Sequence, residues 1–265
     1  MYHLSLYSES KLGYSGNGDF GFETVSLSWQ GSGGPTLTNQ VVGGIATKDF
    51  YIGRLPLTPR PVNFTDLNHP NPSVLETLKS QSIVPSLSWA YTAGAPYRQK
   101  KPFGSLVFGG YDSTKFVANN MWFDFGADIS YDLLVGVQAI TSDGEALLPI
   151  GIISFLNSNV PHIWLPVESC KRFESLYGLS LDNSTDLYLV NDTLHEALLS
   201  KNASITFTLG KTGDGGETID IVLPYASFDL TVNLESTNTT SRYFPIRQAQ
   251  NDSQYTIGRT FLQEA

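Results

Sequence analysis

Gly104-Ser-Leu-Val-Phe-Gly-Gly-Tyr-Asp-Ser-Thr-Lys-Phe116 is the stretch on which the fold turns. Its first half ends in the short apolar run Leu106-Val-Phe108, set between Gly104 and Gly109, a β-strand signal between turn residues. Working outward, similar short runs recur at Phe20–Trp29, Leu133–Ile140, Ile205–Leu209 and Ile219–Leu223. Between them lie Ser142-Asp-Gly-Glu145 and Thr212-Gly-Asp-Gly-Gly216, which predict hairpin turns because Asp-Gly tolerates the positive φ such turns require. Gly31-Ser-Gly-Gly-Pro35 reads as a loop. The expected fold class is therefore all-β, with few and short helices.

Three helices are expected. Pro72-Ser73 followed by Val74, Leu75 and Leu78 predicts a capped helix ending near Gln81. Val167 to Tyr177 places Cys170, Phe173, Leu176 and Tyr177 on one face, so Cys170 is expected in a core. Thr193-Leu-His-Glu196 fits a capping box that opens one or two turns before Leu199. A boundary between two strand groups is expected near residues 118–125.

Composition narrows the function. Charged residues make up 15% of the 265, and the formal charge is −9. Such a surface repels the phosphates of nucleic acid, so a nucleic-acid partner is not expected. No run approaches the roughly 18 apolar residues of a membrane-spanning helix. Tripeptides of the form N-x-[ST] begin at Asn63, Asn183, Asn191, Asn202, Asn238 and Asn251. Their clustering after Asn183, beside turn residues, predicts a glycosylated chain of the secretory pathway. Met1-Tyr-His-Leu-Ser-Leu6 has neither a basic nor an apolar leader region, so a signal peptide is expected to precede it. Cys170 is the only cysteine, which leaves it either a buried apolar thiol or the half of a pair completed outside this chain.

Several motifs fail on context. Gly16-Asn-Gly-Asp-Phe-Gly21 matches a dinucleotide fingerprint letter for letter but is followed by strand-like residues rather than a helix, and is expected to be a hairpin turn. Gly13-Tyr-Ser-Gly-Asn17 misses the serine-hydrolase elbow at its last position. His3, His69, His162 and His195 are scattered, and each is expected at the surface or satisfied by a hydrogen bond. Neither a metal nor a cofactor is expected. Paired carboxylates are the remaining chemistry. Two aspartates sharing one proton can activate water and protonate a leaving amine, because two close like charges cannot both ionise. They need tight small-residue turns such as Asp-Thr-Gly or Asp-Ser-Gly, and the chain has neither. The nearest match, Asp112-Ser-Thr114, looks like a hairpin connection.

Taken in order, the segments resemble the pepsin-like aspartic peptidases, of the secreted fungal kind. Gly104–Phe116 is similar to the Gly-Gly-x-Asp segment that closes the N-terminal lobe of that family. Phe20–Val25 resembles the strand after the flap, and Lys48–Leu57 a degraded Asp-Gly-x-x-Gly-Leu-Gly. Pro72 to Val84 and Ser88-Trp-Ala-Tyr91 resemble the helix and strand that follow. Tyr255-Thr-Ile-Gly-Arg-Thr-Phe-Leu262 is similar to Ile-Leu-Gly-Asp-x-Phe-Leu of the C-terminal lobe.

The resemblance implies a bilobal all-β fold with an incomplete N-terminal lobe (residues 1–120, from the flap onward) and a C-terminal lobe (121–265) lacking its final strand. It implies a polypeptide substrate or protein ligand, an acidic working pH, no cofactor, and a monomer. The family's first catalytic aspartate would precede this chain's first residues. The second falls in Ile152-Ile-Ser-Phe-Leu-Asn-Ser-Asn-Val-Pro-His-Ile-Trp-Leu-Pro166, where Asn157-Ser158-Asn159-Val160 takes the place of Asp-[ST]-Gly-[ST]. No aspartate lies between Asp143 and Asp182 that a shifted register could supply. Tyr14 is the candidate flap tyrosine. The expectation is a catalytically incompetent chain, and the alternative reading is an inhibitor-like binding protein that keeps its cleft.

Overall fold

The computed structural model describes residues 10–29, 31–45, 53–63, 68–98, 103–128, 131–234 and 239–264. They form two compact units. One comprises the residues through Tyr91 together with Ser105–Val117, and the other comprises Thr92–Gly104 and Ala118 onward.

The first unit opens with a hairpin of β1 (Gly18–Ser26) and β2 (Thr36–Ile45), antiparallel and bulged between Glu23 and Val25. The Gly16–Gly21 segment is thus not a hairpin turn. Its last four residues begin β1, where Gly18 lies so near Gly44 that a Cβ would meet that carbonyl oxygen at 2.4 Å. Helix α1 (Val74–Ser80) starts as its sequence demands: Ser73 Oγ accepts from Glu76 N at 3.3 Å while Ser73 N donates to Glu76 Oε2 at 2.9 Å. That reciprocal cap seats Val74, Leu75 and Leu78 against buried Leu37 of β2. Ser73→Ala removes one half of the cap and is expected to cost about 1 kcal/mol, read as a lowered urea midpoint.

β3 (Trp89–Thr92) pairs with β4 (Ser105–Phe108). Beyond β4 the chain does not return as a hairpin. Asp112 Oδ1 accepts from Thr114 N at 2.9 Å and from Thr114 Oγ1 at 2.7 Å, closing a local turn. These bonds hold the Asp112 carboxyl below its ordinary range. The described residues from there to Leu133 contain no strand.

The second unit contains β5 (Leu134–Ser142), β6 (Glu145–Ala146), β7 (Ile152–Leu156), β8 (Ile163–Pro166), α2 (Val167–Tyr177), β9 (Leu181–Asp182), β10 (Leu187–Val190), α3 (Asp192–Lys201), β11 (Ser204–Gly210), β12 (Thr218–Pro224), β13 (Leu230–Leu234), β14 (Thr239–Phe244), β15 (Ile246–Ala249) and β16 (Thr256–Ile257). The larger sheet runs β12-β11-β5-β7-β16-β8-β15, with β6 attached to β5; the smaller runs β13-β14-β10-β9. Both predicted hairpins form. Asp143 (φ 52°) and Gly144 (φ 81°) make the two-residue link between β5 and β6, and Gly215 and Gly216 lie in the β11–β12 link with φ of 65° and 74°.

Helix α2 matches its predicted bounds and buries Cys170, Phe173 and Tyr177. Phe244 lies at the centre of that core, its ring 4.9 Å from Phe228, 5.5 Å from Tyr177 and 5.9 Å from Phe173. Cys170 has no exposed surface, as expected of a core position on α2. Burial pushes the Cys170 thiol up to about 12, and Sγ lies 3.4 Å from the Arg247 carbonyl oxygen. Helix α3 departs from expectation. It begins at Asp192 and is capped by Asn191, whose side chain accepts from Leu194 N at 2.9 Å. Thr193 lies inside the first turn because asparagine, at least as good a cap, comes two residues earlier.

Candidate functional site

β7 delivers the chain to Asn157, and β8 takes it away after His162. The two-residue strand β16 is inserted between them, parallel to β7 and antiparallel to β8. β7 and β8 are therefore not hydrogen-bonded to each other, and the loop 157–162 arches over the end of β16. Asn157 N donates to Ile257 O at 2.9 Å, which ties the first residue of the loop to that strand.

The loop is a polar turn held from both sides. Asn157 Oδ1 accepts from Asn159 N at 2.9 Å, an Asx turn that bends the chain directly after β7. From the other side Arg259 donates Nη1 to Ser158 O at 2.9 Å and to Asn159 O at 2.7 Å, and its backbone N donates to Val160 O at 2.8 Å. Thr260 Oγ1 donates to Pro161 O at 2.8 Å. Gly258 is required for this approach: a Cβ there would fall 2.3 Å from His162 O and 2.5 Å from Val160 O. The resemblance marked both Tyr255–Leu262 and Ile152–Pro166 as segments, and the fold brings them together as one structure.

Asn157 is 2% exposed, and its Nδ2 is buried with no hydrogen-bond partner. An unmet buried donor costs about 1–3 kcal/mol, so the amide is held by its Oδ1 contact to Asn159 N and its backbone bond to Ile257 O, with nothing gained at Nδ2. The group offers one acceptor, already engaged, and two donors; it cannot ionise. Ser158, its neighbour, is exposed. Tyr14 is half-buried in the residues leading into β1 and belongs to the other compact unit. Part of the Lys48–Leu57 segment lies outside the described residues.

Asn63, Asn183, Asn191, Asn202 and Asn251 are all exposed, and Asn238 lies outside the described residues. Asn191 caps α3, Asn202 ends it with a φ of 42°, and Asn251 Oδ1 accepts from Ser253 N at 3.0 Å.

The histidines hold the main surprise. His195 is buried with Nδ1 3.3 Å from Asp229 Oδ1, close enough for an ion pair but without a hydrogen bond at that nitrogen. His162 is neither at the surface nor satisfied: it is 8% exposed and neither ring nitrogen has a hydrogen-bond partner. Ile163, Trp164 and Leu165, which follow it, are all buried, so β8 is covered on both faces and no alternation singled out His162.

A family model described as eukaryotic aspartyl protease matches residues 62–265, and the chain belongs to that family. Among solved structures it is similar to the aspartic proteinase from Irpex lacteus, at 18% identity and a TM-score of 0.63, over 94% of this chain and 73% of that one. The mostly-strand, few-helix architecture is the pepsin-like fold. No curated protein matches the sequence. No helix among the described residues is long and apolar enough to cross a membrane.

Proposed function

We propose that this member of the aspartic protease family binds extended polypeptide without cleaving it. The observation that supports this reading is the amide at position 157. Asn157 stands at the end of β7, turned by its own side chain toward Asn159 N, in the place the family's second catalytic aspartate would take. A carboxylate there could hold half of a shared proton; an amide cannot, and its replacement removes the general acid–base step itself. The loop after Asn157, fastened by Arg259 and Thr260 and carrying exposed Ser158, favours a site whose shape is retained although its chemistry is not. The exposed asparagines of the N-x-[ST] tripeptides support a glycosylated protein of the secretory pathway.

The test is to incubate the purified chain with an unfolded polypeptide between pH 3 and 7 and to follow cleavage by mass spectrometry. In parallel, anisotropy of labelled peptides measures binding. The expected result is saturable binding with no new termini, and hydrolysis indistinguishable from that of Asn157→Ala. General acid–base groups contribute about 10²–10⁴-fold, so a competent dyad would stand far above that background. Cleavage by the natural chain that Asn157→Ala abolishes would overturn the non-catalytic reading. Absence of saturable binding would overturn the binding reading.

A further inference from the structure

His162 ends the loop that begins at Asn157. Its ring is buried, and both nitrogens lack a partner. The groups around it come from three further elements. Tyr243 of β14 places its ring 5.5 Å away. Arg247 of β15 and Arg259 after β16 present guanidinium charges whose repulsion the imidazole feels. Arg247 is itself paired with Asp186 at 3.2 Å, and Arg259 is fastened to the loop carbonyls. Among the described residues no carboxylate acts on the ring with an opposing charge.

A neutral imidazole fits this setting poorly, and an imidazolium does not fit it at all. Protonation would add a second N–H donor where no acceptor is offered, beside two fixed positive charges. We propose that His162 is an acid-sensitive latch: the loop 157–162 is seated while the ring is neutral and is released when the ring takes up a proton.

Burial first, then Arg247 and Arg259, lower the affinity of the seated ring for a proton to about 3, from an ordinary 6.5. The released loop, with its ring in water, binds the proton in the ordinary histidine range. Release is therefore independent of pH above that range and gains as pH falls, until the seated ring also protonates near 3. Across that window the opening equilibrium rises about tenfold per pH unit. The backbone makes the coupling direct, because His162 O and Val160 O pack against Gly258 and the Val160 and Pro161 carbonyls accept from Arg259 and Thr260. Displacing the ring disturbs the bonds that hold Asn157.

The experiment follows the full chain by NMR from pH 7.5 to 4.5. The ring Cε1–H of His162 is assigned through its contact with Tyr243. Amide hydrogen exchange of Asn159, Arg259 and Thr260 is corrected for intrinsic rates. The seated ring is expected to show no titration near 6.5, while protection of the three amides falls about tenfold per pH unit below pH 6. In His162→Phe the same protection is expected to be flat. A ring that titrates near 6.5 with the amides still protected overturns the latch. So does protection that is independent of pH in the natural chain, or that falls equally in His162→Phe. Should that variant not fold, the ring titration and the natural chain's amides decide by themselves.

Discussion

Gly258→Ala is expected to unseat the loop carrying Asn157 and to cost about 3 kcal/mol, the upper part of the range for forced overpacking. The added methyl would lie 2.3 Å from His162 O, 2.5 Å from Val160 O and 2.9 Å from the Pro161 carbonyl carbon. Real Cβ atoms essentially never come closer than 3.0 Å to a neighbour, so something must move. All three obstacles are backbone, and Arg259 N and Thr260 Oγ1 hold two of the same carbonyls in place. No rotamer change relieves the clash. The check is a urea melt of the variant beside Gly21→Ala, where a Cβ would meet nothing within 4 Å. The control is expected to stay within about 0.5 kcal/mol of the parent. Equal midpoints for Gly258→Ala and Gly21→Ala would show that β16 and the loop are not packed as described. Peptide binding should fall with the same substitution, because Gly258 packs against the loop that follows Asn157 and directly succeeds Ile257, which holds Asn157 N.

Phe244→Ala is expected to have the largest effect on stability, about 3–5 kcal/mol. The ring is fully buried among Phe173, Tyr177, Tyr225 and Phe228, which come from α2 and from the segment before β13. Removing it leaves a cavity bordered by rigid aromatic groups that cannot collapse inward. It also removes ring–ring contacts worth about 0.5–1.5 kcal/mol per pair beyond the area they bury. Against a typical total of about 5–15 kcal/mol, a loss of that size leaves the second unit close to its unfolding threshold. Phe244→Leu keeps most of the volume and is expected to cost less than the alanine change. Denaturant melts followed by near-ultraviolet dichroism check the order. Alanine and leucine variants of equal stability would contradict it.

The two substitutions probe different levels of what could be read from the residues alone. The core around Phe244 was legible in part: the spacing of Cys170, Phe173 and Tyr177 placed one face of α2 inward before any coordinates. Phe244 itself carried no periodic signal, since a strand residue beside Pro245 reveals its face only when its partners are known. The caps show the same division. Ser73 and Glu76 sit at the spacing a reciprocal cap requires, and they make it. Thr193 and Glu196 have equal spacing and do not, because Asn191 reaches Leu194 N first. Local patterns compete, and the winner depends on where the chain enters the helix.

By itself the sequence determined the strand-rich class, the hairpin turns, the helix on Val167–Tyr177 and the family. Each rests on interactions between residues close in the chain, or on motifs whose order survives without coordinates. It also determined that position 157 is an amide, and so what chemistry that position can never perform. The tertiary structure alone decided that β16 separates β7 from β8, that Arg259 and Gly258 close around the loop, and that His162 is buried without a partner. The physical reason is distance along the chain. Asn157 meets Ile257 and Ser158 meets Arg259 only after the sheet has formed, and no local propensity encodes a contact across so long a separation. Burial of a histidine is likewise a property of everything packed around it, which is why a residue that looked ordinary by type and spacing became a buried ring with neither nitrogen bonded.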